Sequence, residues 1–339
     1  MLSALTAILG GPLSAEGSMP WCCSEFKMRM LGDYTKTTQD DYVRYLTTVA
    51  DVFEQFHAAD VTTKDWADFL RAKFNGKANT AKKVTALGGK LFRFIIGELG
   101  LRPDNPIDQL DMSSYKTRTR TVLAAHDQVM AIRTAGAVGV DGRQTRSGPI
   151  FACIIDMTYL CWQRAKDIRT LEEVQIKPLS GGGLVGGSIT FEPSKTKVSS
   201  GLAVEIVITP AIAKVIERAR AIKRQHHIVS GYLFPATAGK HAGHPYAKSG
   251  LCSMWDRARE RAVTEANKEG REFGALIQFK DLQALGATDA AARGEDLGEI
   301  QKRLVHTSGD TTGIYIKKVI PKVSDLAIDL PWSDLKPQK

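Results

Sequence analysis

From residue 34 to residue 100 apolar positions recur at steps of three and four, the spacing of one face of an α-helix. Tyr42, Tyr45, Leu46, Val49, Val52 and Phe53 mark one such helix, which Thr38 is placed to cap. Trp66, Phe69 and Leu70 mark a second behind Thr62 and Thr63, and Val84, Leu87, Leu91, Phe92, Ile95 and Ile96 a third over residues 78–99. Gly100 and the two prolines at 103 and 106 end it, so a helical bundle is expected. Residues 111–122 (DMSSYKTRTRTV) lose the period and read as a linker. Buried helix is expected over 151–162 and again over 165–171, after which the period changes. Residues 174–176, 188–192 and 202–208 are short β-branched runs separated by glycine and by Ser-Lys-Thr-Lys, the pattern of a small antiparallel sheet. GGGLVG at 181–186 has the form of a dinucleotide-binding fingerprint, but a strand follows where that fold needs a helix, so a glycine hairpin turn is expected. Helices return over 210–224, 248–268, 282–293 and 297–304.

The predicted class is mainly α with a small antiparallel β-sheet. Its expected divisions are an N-terminal extension over 1–30, a helical domain over 31–110, the linker over 111–122, a second domain over 123–322 and a tail over 323–339. A chain of 339 residues, 43% hydrophobic, is long enough to bury a core in each domain. Lys and Arg number 46 against 37 Asp and Glu, a net charge of +9 that favours a polyanionic partner such as nucleic acid. Lys73, Lys77, Lys82, Lys83, Lys90 and Arg93 cluster on the loops and helix ends of the first domain, and Lys116, Arg118 and Arg120 stud the linker. These are the candidate DNA-backbone contacts, although a solvated face of a basic chain shows the same pattern. No run of ~20 apolar residues is present, so a membrane span is not expected. The five cysteines have no C-x-x-C or metal spacing, and are expected as reduced, buried thiols in a cytoplasmic protein.

The histidines at 226, 227, 241 and 244 lack helical i, i+4 spacing and accompanying carboxylates, so no metal is expected. A G-x-S-x-G elbow and a Walker loop are both absent. What remains is ordered along the second half: Gln163, Arg164 and Asp167 in QRAKD; Lys195 and Lys197 in SKTK; Lys280 and Gln283 in FKDLQALGATD; His306 and Tyr315 in RLVHTSGDTTGIY. Here the chain resembles the tyrosine recombinases, the phage-integrase family, over nearly its whole length. His306 and Tyr315 stand nine residues apart across a Thr-rich turn, as in that family, with Val305 in place of the usual glycine.

The resemblance implies a helical core-binding domain, a recombinase catalytic domain, and strand transfer through a 3′-phosphotyrosyl intermediate at Tyr315. It implies Arg164 as the first catalytic arginine, Asp167 as its acidic support, Lys195 as the catalytic lysine with Lys197 the alternative, Lys280 as the accepted variant at the first place of the His/Lys-x-x-Arg motif, and His306 donating to a nonbridging oxygen or assisting proton movement at the tyrosine. Lys197 also stands among the candidate DNA contacts. Chemistry agrees with these residue types: tyrosine stores the broken bond as an ester without ATP, metal or cofactor, and a guanidinium offers a planar fork for two phosphate oxygens. The position of the second catalytic arginine, however, holds Gln283. Loss of such a donor costs by analogy ~2.7 to 4 kcal/mol, or ~100 to 1000-fold in rate.

Two readings follow. One is an active phage or mobile-element integrase on double-stranded DNA, tetrameric in its synaptic complex, working on DNA in the cytoplasm of a bacterial or phage-infected cell, with the 323–339 tail docking on a neighbouring protomer. The other is a DNA-binding protein on the same fold with weakened or absent catalysis. A type IB topoisomerase is a third reading, disfavoured by the integrase-like first domain.

Overall fold

In the computed structural model, which describes residues 15–117, 120–139, 141–192, 203–305, 312, 315 and 316, the chain divides into two units, with the division between residues 119 and 120. The first is helical: α1 (Met19–Met30), α2 (Lys36–Val52), α3 (Thr63–Phe74) and α4 (Ala78–Gly97). Thr62 caps α3 in a reciprocal box, its hydroxyl accepting the Asp65 amide at 3.2 Å while the Asp65 carboxylate accepts the Thr62 amide at 2.9 Å. The Thr62 hydroxyl also donates to that carboxylate at 2.7 Å, and this bond, followed by that from the Thr62 amide, holds the Asp65 carboxyl below its ordinary pKa. α2 starts two residues before Thr38, with Thr35 in the extended N-cap position. Trp66 is the centre of the core, stacked on Phe53 at 5.7 Å and meeting Phe69 and Phe92 edge-on. Gly88 is required beneath it, since a Cβ there would lie 2.4 Å from the indole.

The expected boundary at residue 31 is corrected by α1. Met19, Cys22, Cys23 and Phe26 are at most 1% exposed and belong to the same core as Trp66, and Phe26 meets Phe94 edge-on at 5.4 Å. Residues 19–30 are therefore structural in the first domain rather than an extension of it.

The second unit is built around α6 (Gly148–Cys161), whose residues are buried nearly all round. Against it lie α5 (His126–Ala137), α8 (Pro210–Gln225) and α10 (Asp281–Ala292), with α9 (Lys248–Lys268) covering α5. The short α7 (Ala165–Arg169) follows α6, and α11 (Leu297–Leu304) packs on α10. The sheet is antiparallel in the order β1 (Ile176–Lys177), β2 (Ser188–Phe191), β3 (Val204–Val207), pairing Ile176 with Ile189 and Ile189 with Ile206. That alternation sends Ile176, Ile189, Phe191 and Ile206 into the core. The first predicted strand is shorter than expected, because residues 173–175 form a 3₁₀ turn. The glycine turn between β1 and β2 is as expected, with Gly182 and Gly186 at φ +82° and +87°. Cys22, Cys23, Cys153 and Cys161 are buried free thiols, whereas Cys252 is exposed, against expectation. Among the described residues no helix is long and apolar enough to cross a membrane.

Replacing Phe26 by alanine should cost about 3 to 5 kcal/mol in guanidinium unfolding of the first unit, as for other buried aromatics. A dispensable extension would leave the unfolding midpoint unchanged.

Candidate active site

Arg164 owes its place to the way α6 ends. Trp162, the residue after the helix, is left-handed at φ 57° and ψ 25°, a conformation costing roughly 1–2 kcal/mol for a residue with a Cβ. The Arg303 guanidinium, from α11, lies 4.8 Å over the Trp162 indole and donates from Nη2 to the Leu160 carbonyl at 2.8 Å. In return the buried Gln163 amide donates to the Arg303 carbonyl at 2.6 Å and to the Cys161 carbonyl at 3.1 Å. The Nε1–Cδ1 edge of the indole meets α10 at Gly286, where a Cβ would lie 2.3 Å from the indole nitrogen and 2.7 Å from the Tyr159 carbonyl. Two residues beyond Trp162, Arg164 is the extended N-cap of α7 and half-buried, with Asp167 in that helix's first turn. Asp167 exerts its charge on Arg169, whose pKa burial nonetheless holds below its ordinary value. Burial likewise lowers the pKa of Arg303 and pushes the neighbouring Cys161 thiol up to about 12.

The second motif sits on the first turn of α10. Lys280 is its exposed N-cap, and Gln283 is buried, 5% exposed. Between them Asp281 is buried and receives two bonds from Arg120: Nε donates at 2.9 Å and Nη2 at 2.7 Å, while Nη2 also reaches the Leu276 carbonyl at 2.8 Å. The Gln278 amide adds a 2.7 Å bond to the same carboxylate, so the loop entering α10 is fixed by one ion pair. One turn beyond Gln283 the Thr288 hydroxyl lies 3.2 Å from the Tyr315 carbonyl and 2.7 Å from that of Ala284. The half-buried Tyr315 packs with Trp162 and Ile316 on Ala287, Ala290, Ala291, Ile300 and Leu304. Asp289, next to Thr288, accepts from Tyr159 at 2.7 Å, and burial followed by that carboxylate pushes the Tyr159 pKa up to about 12. Val305 closes α11 in the left-handed conformation, φ 53°, where the resembling family has glycine.

The predicted residues are thus divided. Trp162, beside Arg164, and Tyr315 share one apolar cluster with α10, the helix that carries Gln283. Lys195, Lys197, His306 and Arg118 lie outside the described residues, as does the 323–339 tail. Lys73, Lys77, Lys82, Lys83, Arg93 and Lys116 are exposed. Lys90 differs: its ammonium donates to the Tyr34 and Tyr42 hydroxyls at 3.0 and 3.2 Å and lies over both rings, which raises its pKa. Arg120 differs too, being committed to Asp281. Asp281 and Arg303 are the positions that motif order alone does not mark as partners, since their contacts join segments more than a hundred residues apart. Among the described residues no cluster of His, Cys, Asp or Glu has the makings of a metal site.

No protein-family model matches the chain, and no curated protein matches it. Solved structures do. A lambda integrase dimer bound to a COC′ core site aligns with a TM-score of 0.69 at 17% identity, covering 95% of this chain and 84% of that one. A lambda integrase tetramer bound to a Holliday junction aligns at 0.66 and 17%, covering 94% and 83%. The Tn1549 transposon integrase in complex with circular intermediate DNA aligns at 0.63 and 14%, covering 89% and 96%. The chain has the fold of these tyrosine recombinases across both units.

Removing the Arg120 side chain strands a buried carboxylate, so Arg120→Ala should destabilise the protein by about 3 kcal/mol in chemical denaturation. The pair replacement Arg120→Met with Asp281→Leu should recover most of that loss. Equal destabilisation by both would assign the effect to lost packing rather than to the stranded charge.

Proposed function

We propose that this protein is a site-specific DNA recombinase, of the phage or mobile-element integrase kind, that cuts and rejoins double-stranded DNA through a 3′-phosphotyrosyl intermediate at Tyr315. In this reading the Tyr315 oxygen attacks phosphorus as its phenolic proton passes to water or to His306, the P–O5′ bond breaks, and the 5′ oxygen leaves with a proton from Lys195, Lys197 being the alternative donor. Arg164 and Lys280 face the nonbridging oxygens, His306 serves there or at the tyrosine proton, and Asp167 supports Arg164. The ester keeps the bond energy, so neither cofactor nor metal is required. The exposed Lys73, Lys77, Lys82, Lys83, Arg93 and Lys116 are the proposed backbone contacts, joined by Arg118. The observation that carries the reading is Tyr315 held against α10 beside Trp162, two residues from Arg164. The proposed working state is a tetramer on DNA in the cytoplasm of a bacterial or phage-infected cell, with the 323–339 tail docked on a neighbouring protomer. A lambda integrase tetramer on a Holliday junction has the same fold, which supports that assembly.

Gln283 supports a second reading: a DNA-binding protein with weakened or absent chemistry. A buried neutral amide stands where the family carries a cation, and the transition state gains no charge from it.

A nicked suicide duplex carrying a candidate attachment site, followed by a denaturing gel, separates the two readings. The unchanged protein should form a covalent adduct that Tyr315→Phe abolishes, with duplex affinity retained within about threefold because the hydroxyl adds little ground-state binding. Gln283→Arg should accelerate adduct formation by about 100-fold. Adduct from Gln283→Arg alone establishes the second reading. No adduct from either, on a duplex that both bind, removes strand transfer.

A further inference from the structure

We propose that Trp162 and Arg303 are positioning residues, a stacked pair that locks the Arg164 turn against α10 and α11. The chemical consequence rests on the strand-transfer reading above, whereas the lock itself does not. Three observations lead to it. Trp162 occupies a left-handed position that disfavours any side chain, so something must offset the strain. The offset is visible around the indole: the Arg303 guanidinium lies 4.8 Å over the ring, and Gly286 meets its Nε1–Cδ1 edge with no room for a methyl group. Arg303 also holds the turn twice more, donating from its side chain to Leu160 and accepting from Gln163 at its own carbonyl.

These contacts hold the turn that leads into Arg164 at the Leu160 carbonyl, the Trp162 ring and the Gln163 side chain. The same contacts tie together the elements that carry or lead to the motif residues. Trp162 leads to Arg164, Gly286 lies on α10 one turn beyond Gln283, and Arg303 lies three residues before His306. A displaced Arg303 therefore moves the entry to Arg164 and the exit toward His306 together. Arg303 is half-buried, and burial lowers its pKa; its guanidinium lies over the indole and donates to the Leu160 carbonyl. Catalytic groups displaced by ~1 Å lose on the order of 100-fold in rate.

Two measurements on the full-length protein test the proposal. In the first, thermal midpoints are compared for Gly286→Ala, Trp162→Gly and the double variant. Gly286→Ala alone should lower the midpoint by several degrees, its methyl meeting the indole at 2.3 Å and the Tyr159 carbonyl at 2.7 Å, and the double variant should lose clearly less than the sum of the two single losses, since only the carbonyl contact remains. Additive losses would overturn the lock.

In the second, Arg303→Met and Arg303→Lys are placed in the Gln283→Arg background. Arg303→Met should slow adduct formation about 100-fold with duplex affinity within about threefold, and Arg303→Lys, which keeps a cation over the ring, should recover part of the rate. The ¹⁵N-arginine Nε–H resonance of Arg164, assigned by its loss in Arg164→Lys, should shift or broaden in Arg303→Met and return toward the parent in Arg303→Lys. An unchanged resonance in Arg303→Met overturns the positioning role. If no protein forms an adduct, strand transfer fails as a reading and the resonance alone decides the positioning.

Discussion

A single left-handed residue at the carboxyl end of α6 governs how the second unit closes. α6 is buried nearly all round, so the chain leaving it has to turn sharply to reach the surface at α7. Trp162 makes that turn at φ 57°, and its indole is large enough to touch both helices that follow in the motif order, α10 through Gly286 and α11 through Arg303. Glycine in this position would relieve the backbone and remove the contact. The strain is thus coupled to packing, and the small apolar cluster around Ala287, Ala290, Ile300 and Tyr315 is organised on that indole.

A buried carboxylate does the equivalent work at the opposite end of α10. Asp281 has a 4% exposed side chain, and the double bond from Arg120 with the Gln278 amide satisfies it. Removing the arginine would leave a desolvated carboxylate, which is why the first residue of the second unit is tied to the first turn of α10. Arg120 looked in sequence like one of a row of backbone-binding cations. Its neighbours Lys116 and Arg118 share its composition, and nothing local distinguishes the one that has a carboxylate waiting 161 residues away.

Periodicity made α2 to α4, α8 and α9 legible, because each buries a stripe of residues at helical spacing, whereas α10 is a continuous run of small and apolar residues buried nearly all round. α5 was missed for the converse reason: HDQVMAIRTAGA buries only Ile132 and Gly136, too little for a stripe. α1 was missed as a core element because Cys22, Cys23 and Phe26 are followed by Met28 and Met30, both exposed, which blurs its face. The order and spacing of Arg164, Lys280, His306 and Tyr315 were legible as a family pattern, because that pattern is written in residue types along the chain. The supports were not, since Arg303 reaches Leu160, and Arg120 reaches Asp281, only after the chain folds.

Gln283 is best understood through the cost of what it replaces. Its side chain is 5% exposed on a helix whose first two turns are buried, and an arginine buried there would need a carboxylate or phosphate to offset its desolvation. Without DNA, the described acidic residue at the start of α10 is already committed to Arg120. An arginine at 283 would therefore carry its cost in the free protein and repay it only when a phosphate arrives. A neutral amide avoids that cost and retains two N–H donors for a phosphate oxygen, but contributes no charge to the transition state. In the strand-transfer reading, glutamine here trades transition-state stabilisation for stability of the unbound fold, and the burial that sets this trade is the same burial that lets α10 hold the Tyr315 carbonyl through Thr288.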